Sequence, residues 1–288
     1  MRIALAANRA SGGGLDPEPL IGAIRAHGAE VALFGPVPAE LERAAAWEPD
    51  RLAVAGGDGT IGPVAELAGR LDVPLAVIGA GTANDFSRVF GLPRDPLEAA
   101  ALAATGTEER PLELGRLGDG TPFVNVASAG LASVAGHNAR PLKPRLGPLA
   151  YGIGAVRAAA TGRPLPATVR ADGRTVFDGA CWQVIVAVSG AFGAGSGVAE
   201  ANPDDGFLDV VVLPAGSRAG LARRAWGLRT RTIAQQRDVP HERGAVVELD
   251  LPPGTEVNAD GELRVGGLER VTVRPRAFSL VVGEPPRP

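Results

Sequence analysis

The run Leu52-Ala53-Val54-Ala55-Gly56-Gly57-Asp58-Gly59-Thr60 constrains the fold more than any other part of the chain. Its four apolar residues read as a buried strand, and a helical pattern from Ile61 to Arg70 follows with only a glycine-rich turn between. Three glycines at such a junction let backbone N–H groups approach an anion without Cβ obstruction. The helix dipole favours negative charge there by about 0.3–1 kcal/mol. Asp58 is repulsive to a phosphate unless a cation or an acceptor's proton lies between them, which points to metal-dependent chemistry.

The pattern around this turn repeats. Arg2 to Ala7, Glu30 to Phe34, Arg51 to Ala55 and Leu75 to Ile78 read as short apolar strands. Helices are expected from Asp16-Pro17, near Pro38 and after Thr60, with Leu20, Ile21 and Ile24 on one face of the first. Strands alternating with helices imply βαβ units and a mostly parallel sheet. Two further turns follow strands in the same way. One is Asn8-Arg9-Ala10-Ser11-Gly12-Gly13-Gly14, and the other is Gly79-Ala80-Gly81-Thr82-Ala83-Asn84-Asp85-Phe86, in which Thr82 is placed to cap a helix carrying Asn84 and Asp85. Taken singly, each is explained by a tight turn or a capped helix with no ligand. Three at successive strand ends of one sheet would line one crevice. Gly57-Asp58-Gly59-Thr60-Ile61-Gly62 also fits the dinucleotide pattern G-x-G-x-x-G, although it follows the third strand rather than the first.

From about residue 111 the texture changes to strand-like runs separated by Asp119-Gly120, Asp172-Gly173, Asp205-Gly206 and Asp260-Gly261. Two helical stretches, 149–160 and 217–233, interrupt them. The expected organisation is an α/β Rossmann-like domain over 1–115 and a mainly β, sandwich domain over 116–276, with the last strand, about 277–288, a candidate to return to the first domain.

Several classes are excluded. The only lysine, Lys143, precedes Pro144, so no Walker A loop and no strand lysine of a protein kinase exists. His27, His137 and His241 are too scattered for a zinc pair on one helix. A net charge of -3 gives no general attraction to nucleic acid. The one cysteine, Cys181, lies in an apolar segment and reads as a small buried hydrophobe. No apolar run reaches the ~18 residues that span a bilayer, and the expectation is a cytoplasmic protein.

The order and spacing of these motifs resemble the diacylglycerol kinase catalytic family, which includes bacterial lipid kinases and sphingosine kinases and shares a superfamily with NAD kinases. The resemblance spans most of the chain. It rests on Asn8 with Ser11-Gly12, Gly56 to Thr60, Gly81 to Phe86, Asn202-Pro203-Asp204-Asp205-Gly206-Phe207-Leu208-Asp209, and Asp260-Gly261-Glu262. It implies a Rossmann-like nucleotide-binding domain joined to a β-sandwich domain, with ATP and Mg2+ as cofactors. Asn8, Ser11, Gly12, Gly56, Gly57, Asp58, Gly59, Thr60, Gly81, Thr82, Asn84 and Asp85 would hold the nucleotide. Asp58 would also organise phosphates and metal. Asn202, Asp205 and Phe207 match a loop that in bacterial members binds a structural magnesium through the Asp side chain and backbone oxygens. Asp260 and Glu262 match the acidic pair from which the general base is drawn.

Two departures bear on the acceptor. Many lipid kinases continue the first motif with one residue and then Asn-Glu, whereas Ile61 is followed here by Gly62-Pro63. Arg9 stands where Pro usually follows Asn8. Between Ser217 and Arg237 six arginines (Arg218, Arg223, Arg224, Arg229, Arg231 and Arg237) occur with no acid, and Leu221, Ala225 and Leu228 share a helical face beside Trp226. Two readings stand: a helix packed by its apolar face, and a basic helix lying on an anionic membrane. The expected activity is an ATP- and magnesium-dependent lipid kinase acting on diacylglycerol or a related lipid, with peripheral membrane contact and a homodimer both admitted. A small-molecule kinase acting on NAD and a non-kinase dinucleotide binder are the alternatives.

Overall fold

The computed structural model describes residues 1–131, 162–193 and 195–283. The helical stretch expected at 149–160, together with His137 and Lys143, lies outside them. The chain divides into two compact units, one of Met1–Leu114 together with the chain from Pro275 onward, the other of Gly115–Arg274.

In the first unit, strands β1 (Arg2–Ala7), β2 (Glu30–Phe34), β3 (Arg51–Gly56) and β4 (Leu75–Gly79) alternate with helices α1 (Glu18–Arg25), α2 (Pro38–Ala46) and α3 (Asp58–Leu71). Two more helices, α4 (Asp85–Val89) and α5 (Pro96–Thr105), precede β5 (Glu108–Leu117). All pairings are parallel in the order β2-β1-β3-β4, with Ala4 opposite both Ala32 and Leu52, and Ala53 opposite Ala76. These strands are apolar on both faces because helices cover both. Ile3, Leu5, Ala53 and Ile78 pack with Leu20, Ile21 and Ile24 of α1 and with Ala99, Ala100 and Ala103 of α5. Asp16 acts one position earlier than the sequence suggests, its Oδ1 accepting the Glu18 N–H at 3.1 Å before a helix whose N-cap is Pro17.

The second unit is mainly β. It contains β6 (Pro122–Phe123), β7 (Val126–Gly130), β8 (Leu165–Ala171), β9 (Arg174–Ala187), β10 (Ala191–Phe192), β11 (Ser196–Gly197) and β12 (Leu208–Pro214). Helix α6 (Arg218–Arg229) then leads to β13 (His241–Gly244), β14 (Val246–Asp250), β15 (Glu256–Ala259), β16 (Glu262–Val265) and β17 (Arg270–Val282). The long β9 pairs antiparallel with β8, β7 and β12. Alternation along it serves two cores, since Val184 and Val186 enter one cluster and Ile185 and Ala187 the other. The last strand is shared by the units: Val271 pairs with Val247 of β14, and Leu280 pairs in parallel with Leu75 of β4. Asp172-Gly173 and Asp260-Gly261 are two-residue hairpin turns with positive φ at both residues (47° and 76°, 48° and 92°), which Asp and Gly tolerate. Asp205-Gly206 joins no such pair and lies in the loop before β12.

Candidate functional site

Three loops converge at the C-terminal ends of β1, β3 and β4. The Asn8 N–H donates to the Ala55 carbonyl at 2.9 Å, and its side-chain amide reaches Thr60 Oγ1 at 3.4 Å. Asn8 Oδ1 also accepts the Ala10 N–H at 3.1 Å, which curls the chain into the short turn Ser11–Gly13. Gly12 has φ 61°, and a Cβ there would stand 2.6 Å from the Ala80 carbonyl oxygen, so only glycine fits both the conformation and the space. Gly57 and Gly81 meet backbone to backbone: a Cβ on Gly81 would lie 2.5 Å from the Gly57 Cα. The Ala80 N–H donates to the Gly56 carbonyl at 2.9 Å.

Helix α3 begins at Asp58, inside the glycine motif and earlier than the residues after Thr60, so the motif forms the first helical turn. The Asp58 carboxylate is the tie between two of the loops. Its Oδ2 accepts the Asp85 N–H at 3.2 Å and its Oδ1 the Phe86 N–H at 2.9 Å. This corrects the expectation for Thr82, which is exposed and supplies no side-chain cap; the cap of α4 comes from Asp58. The N-cap residue is Asn84, with φ 49°. Its side chain accepts the Gly81 N–H at 2.8 Å and donates to the Gly81 carbonyl at 3.3 Å, shaping the loop from within. Asp85 is buried, and its carboxylate lies 2.7 Å from the Arg88 guanidinium. Pro63 sits inside α3, where it removes the N–H that would donate to the Gly59 carbonyl.

Beside these loops, an open cleft of about 400 Å³ is lined by Asn8, Arg9, Phe34, Gly35, Pro36 and Glu40 among others. Its volume falls within the range of small-molecule sites, about 300–1,000 Å³.

In the second unit, Asp260 occupies the turn between β15 and β16. Its carboxylate accepts three backbone N–H groups: Val124 at 2.7 Å, Asn125 at 2.9 Å and Val126 at 3.0 Å. An acceptor so used anchors the segment before β7 and is poorly placed to collect a substrate proton. Glu262, at the start of β16 opposite Ala259, is exposed, and its carboxylate has no hydrogen-bond or ion-pair partner among the described residues. The pair Asp260 and Glu262 thus divides into an anchor and an available carboxylate.

The loop expected to hold magnesium contains Asn202, Asp205 and Phe207. Asp205 Oδ1 accepts the Phe207 N–H at 3.0 Å, and Oδ2 is in contact with the Arg243 guanidinium. A carboxylate and carbonyls are apt oxygen donors for Mg2+, but a guanidinium already stands on this carboxylate. With that guanidinium on Asp205, the residues as placed do not fit a magnesium ion. Among the described residues, no group of three or more His, Cys, Asp and Glu gathers as a metal site.

Helix α6 divides its charges. Arg224 is buried and donates to the Pro214 carbonyl at 3.0 Å and to Asp238 at 2.7 Å, and Arg223 joins the same carboxylate. Burial opposes the Asp238 charge, but the Arg224 hydrogen bond and the charges of both arginines hold its carboxyl below its ordinary range. Leu221 is buried and Leu228 half-buried, whereas Ala225 and Trp226 are exposed, so the helix packs by a narrower apolar face than the sequence implies. No helix of the described residues is long and apolar enough to cross a membrane.

Sequence reasoning passed over Asn125 and Ser189, both buried, whose side chains meet at 2.5 Å beside the segment that Asp260 anchors. The available signal was one Asn within the apolar run Phe123-Val124-Asn125-Val126. Asp209 and His241 appear in the sequence only as a motif residue and a scattered histidine; the fold joins them, with Asp209 fully buried and His241 at 2.6 Å, and adds Arg243.

A parallel sheet bearing glycine loops at its strand ends, followed by a β-rich unit, is the architecture of diacylglycerol kinase and NAD kinase folds. A diacylglycerol kinase structure from Bacillus anthracis superposes with a TM-score of 0.77 at 21% identity, covering 98% of this chain and 97% of that one. An NAD kinase from Archaeoglobus fulgidus, in complex with ATP, gives 0.56 at 17% identity, covering 99% and 94%. Residues 5–117 match the diacylglycerol kinase catalytic domain, and residues 125–282 match the YegS C-terminal NAD kinase beta sandwich-like domain. A probable lipid kinase YegS-like from Pseudomonas aeruginosa is 33% identical over 258 residues, 82% of this chain and 80% of that protein. A diacylglycerol kinase from Bacillus subtilis is 30% identical over 226 residues, 77% and 74% of the two chains. The chain belongs to the diacylglycerol kinase catalytic domain family and is a kinase.

Proposed function

We propose that the protein transfers the γ-phosphate of ATP, taken up as its magnesium chelate, to a hydroxyl of diacylglycerol or a related lipid. The observation that carries this reading is the close packing of the three loops through Gly12, Gly57 and Gly81, with Asp58 fastening α4 to α3. Backbone N–H groups in the first turn of α3 favour an anion, and glycine on both sides lets phosphate oxygens approach the main chain. The neighbouring cleft at Asn8 and Phe34 has the volume for the rest of a nucleotide.

In phosphoryl transfer the protein mainly positions reactants and offsets charge, while a carboxylate takes the acceptor's proton. The lipid hydroxyl oxygen bonds to the γ-phosphorus as the bond to the β–γ bridging oxygen breaks, and ADP leaves. Glu262 accepts the hydroxyl proton. Asp260 acts as a positioning residue that holds its hairpin, and Asp58 positions the nucleotide loops. Relatives described as lipid kinase and diacylglycerol kinase support a lipid acceptor.

Thermal unfolding with nucleotides tests the donor. ATP with Mg2+ should raise the melting temperature, by about 2.7 kcal/mol of added stability at a hundredfold excess over Kd. Stabilisation by NAD without metal, and none by ATP, would overturn the reading in favour of a dinucleotide binder.

A further inference from the structure

The disagreement at the loop before β12 has a specific structural cause. β12 pairs antiparallel with β13, and the register sets Asp209 opposite Arg243 and Val211 opposite His241. The His241 and Arg243 side chains of β13 therefore both reach the acidic end of β12. His241 Nε2 lies 2.6 Å from Asp209 Oδ1, and Arg243 Nε lies 3.9 Å from Asp209 Oδ2. Asp209 is fully buried, so its charge needs compensation from within the protein. Arg243 also extends to Asp205, and its guanidinium carbon stands 5.1 Å from the centroid of the Phe207 ring. One guanidinium thus touches the carboxylate, the aromatic ring and the strand end that together define the loop. A planar guanidinium with several donors can serve two carboxylates at once, which suits it to this position. A divalent cation on Asp205 would meet that positive charge at close range.

We infer that Arg243 serves as the built-in cation of the 202–209 loop, so that this loop is held without a divalent metal and Mg2+ enters the protein only with its nucleotide. The role of Arg243 is independent of the acceptor, and the entry of Mg2+ with a nucleotide rests on the proposed function.

The test is thermal unfolding of the full chain without nucleotide, in EDTA and in MgCl2, for wild type, Asp205→Asn, Arg243→Gln and the double variant. Wild type should melt at the same temperature in both buffers. Arg243→Gln should melt lower in EDTA and recover by about 2–4 °C or more in MgCl2, and the double variant should not recover. Two results would overturn the inference: a magnesium-dependent rise in wild type that Asp205→Asn removes, or an Arg243→Gln variant that melts like wild type or ignores magnesium. If Arg243→Gln does not fold, Arg243→Lys replaces it, and the wild-type and Asp205→Asn arm decides by itself.

Discussion

The carboxylate of Asp58 accepts the backbone N–H of Phe86 at 2.9 Å, joining the first turn of α3 to the first turn of α4 across 28 residues of sequence. With the Asp85 N–H at 3.2 Å it satisfies two donors that a helix start otherwise leaves open. Asp58→Ala should therefore lower stability by about 1–2 kcal/mol as well as abolish transfer. Chemical denaturation checks this. Unchanged stability with lost activity would mean that Asp58 contributes chemistry alone.

The contact between Gly57 and Gly81 leaves no room for a side chain. Gly81→Ala should push the two loops apart and weaken ATP binding tenfold or more, about 1.4 kcal/mol. Calorimetric titration of ATP reads the effect directly, and an unchanged Kd would separate these loops from the nucleotide.

How much of this was legible in the sequence follows from the range of each interaction. The four strands of the first unit and their glycine turns announce themselves through local apolar runs, and β1 to β4 fall within a residue of the expected bounds. The cap of α4 did not, because Thr82 has the right local chemistry while Asp58 arrives through the fold. Asp260 is the same case. Asp-Gly at a hairpin is readable, but its three donors lie 134 to 136 residues away and only the fold reveals them. Arg243 sits 38 residues from Asp205 in a strand whose register no local pattern dictates.

Arg51 is buried at the start of β3 and donates to the Ala103 carbonyl at 2.7 Å and the Gly106 carbonyl at 2.9 Å, closing the C-terminal end of α5. Burial pulls its pKa below the ordinary value, with the Glu109 charge opposing. Arg51→Ala leaves those carbonyls unsatisfied and should cost about 2–4 kcal/mol, measured by urea unfolding. A loss below about 0.5 kcal/mol, the scale of an ordinary surface substitution, would contradict this.

Cys181 is fully buried, as its apolar neighbours suggested, and burial lifts its thiol to about 11, with the Gln183 backbone hydrogen bond opposing. Native protein should resist thiol reagents at neutral pH and react only on unfolding. The unfolded thiol ionises first, near its usual value of about 8.5, so the unfolded state binds fewer protons above that pH. Stability should be whole below about pH 8.5 and fall as pH rises toward 11, by an amount absent in Cys181→Ala. Fast labelling of the native protein would contradict the burial.

Transfer of labelled γ-phosphate from ATP to a panel of diacylglycerol, a sphingoid base and NAD, by wild type and by Glu262→Gln, tests the central claim most directly. The account predicts label in a lipid with wild type, and a fall of about 10²-fold or more in Glu262→Gln with ATP binding retained. Label on NAD alone or on no acceptor, or undiminished lipid labelling by Glu262→Gln, would contradict it.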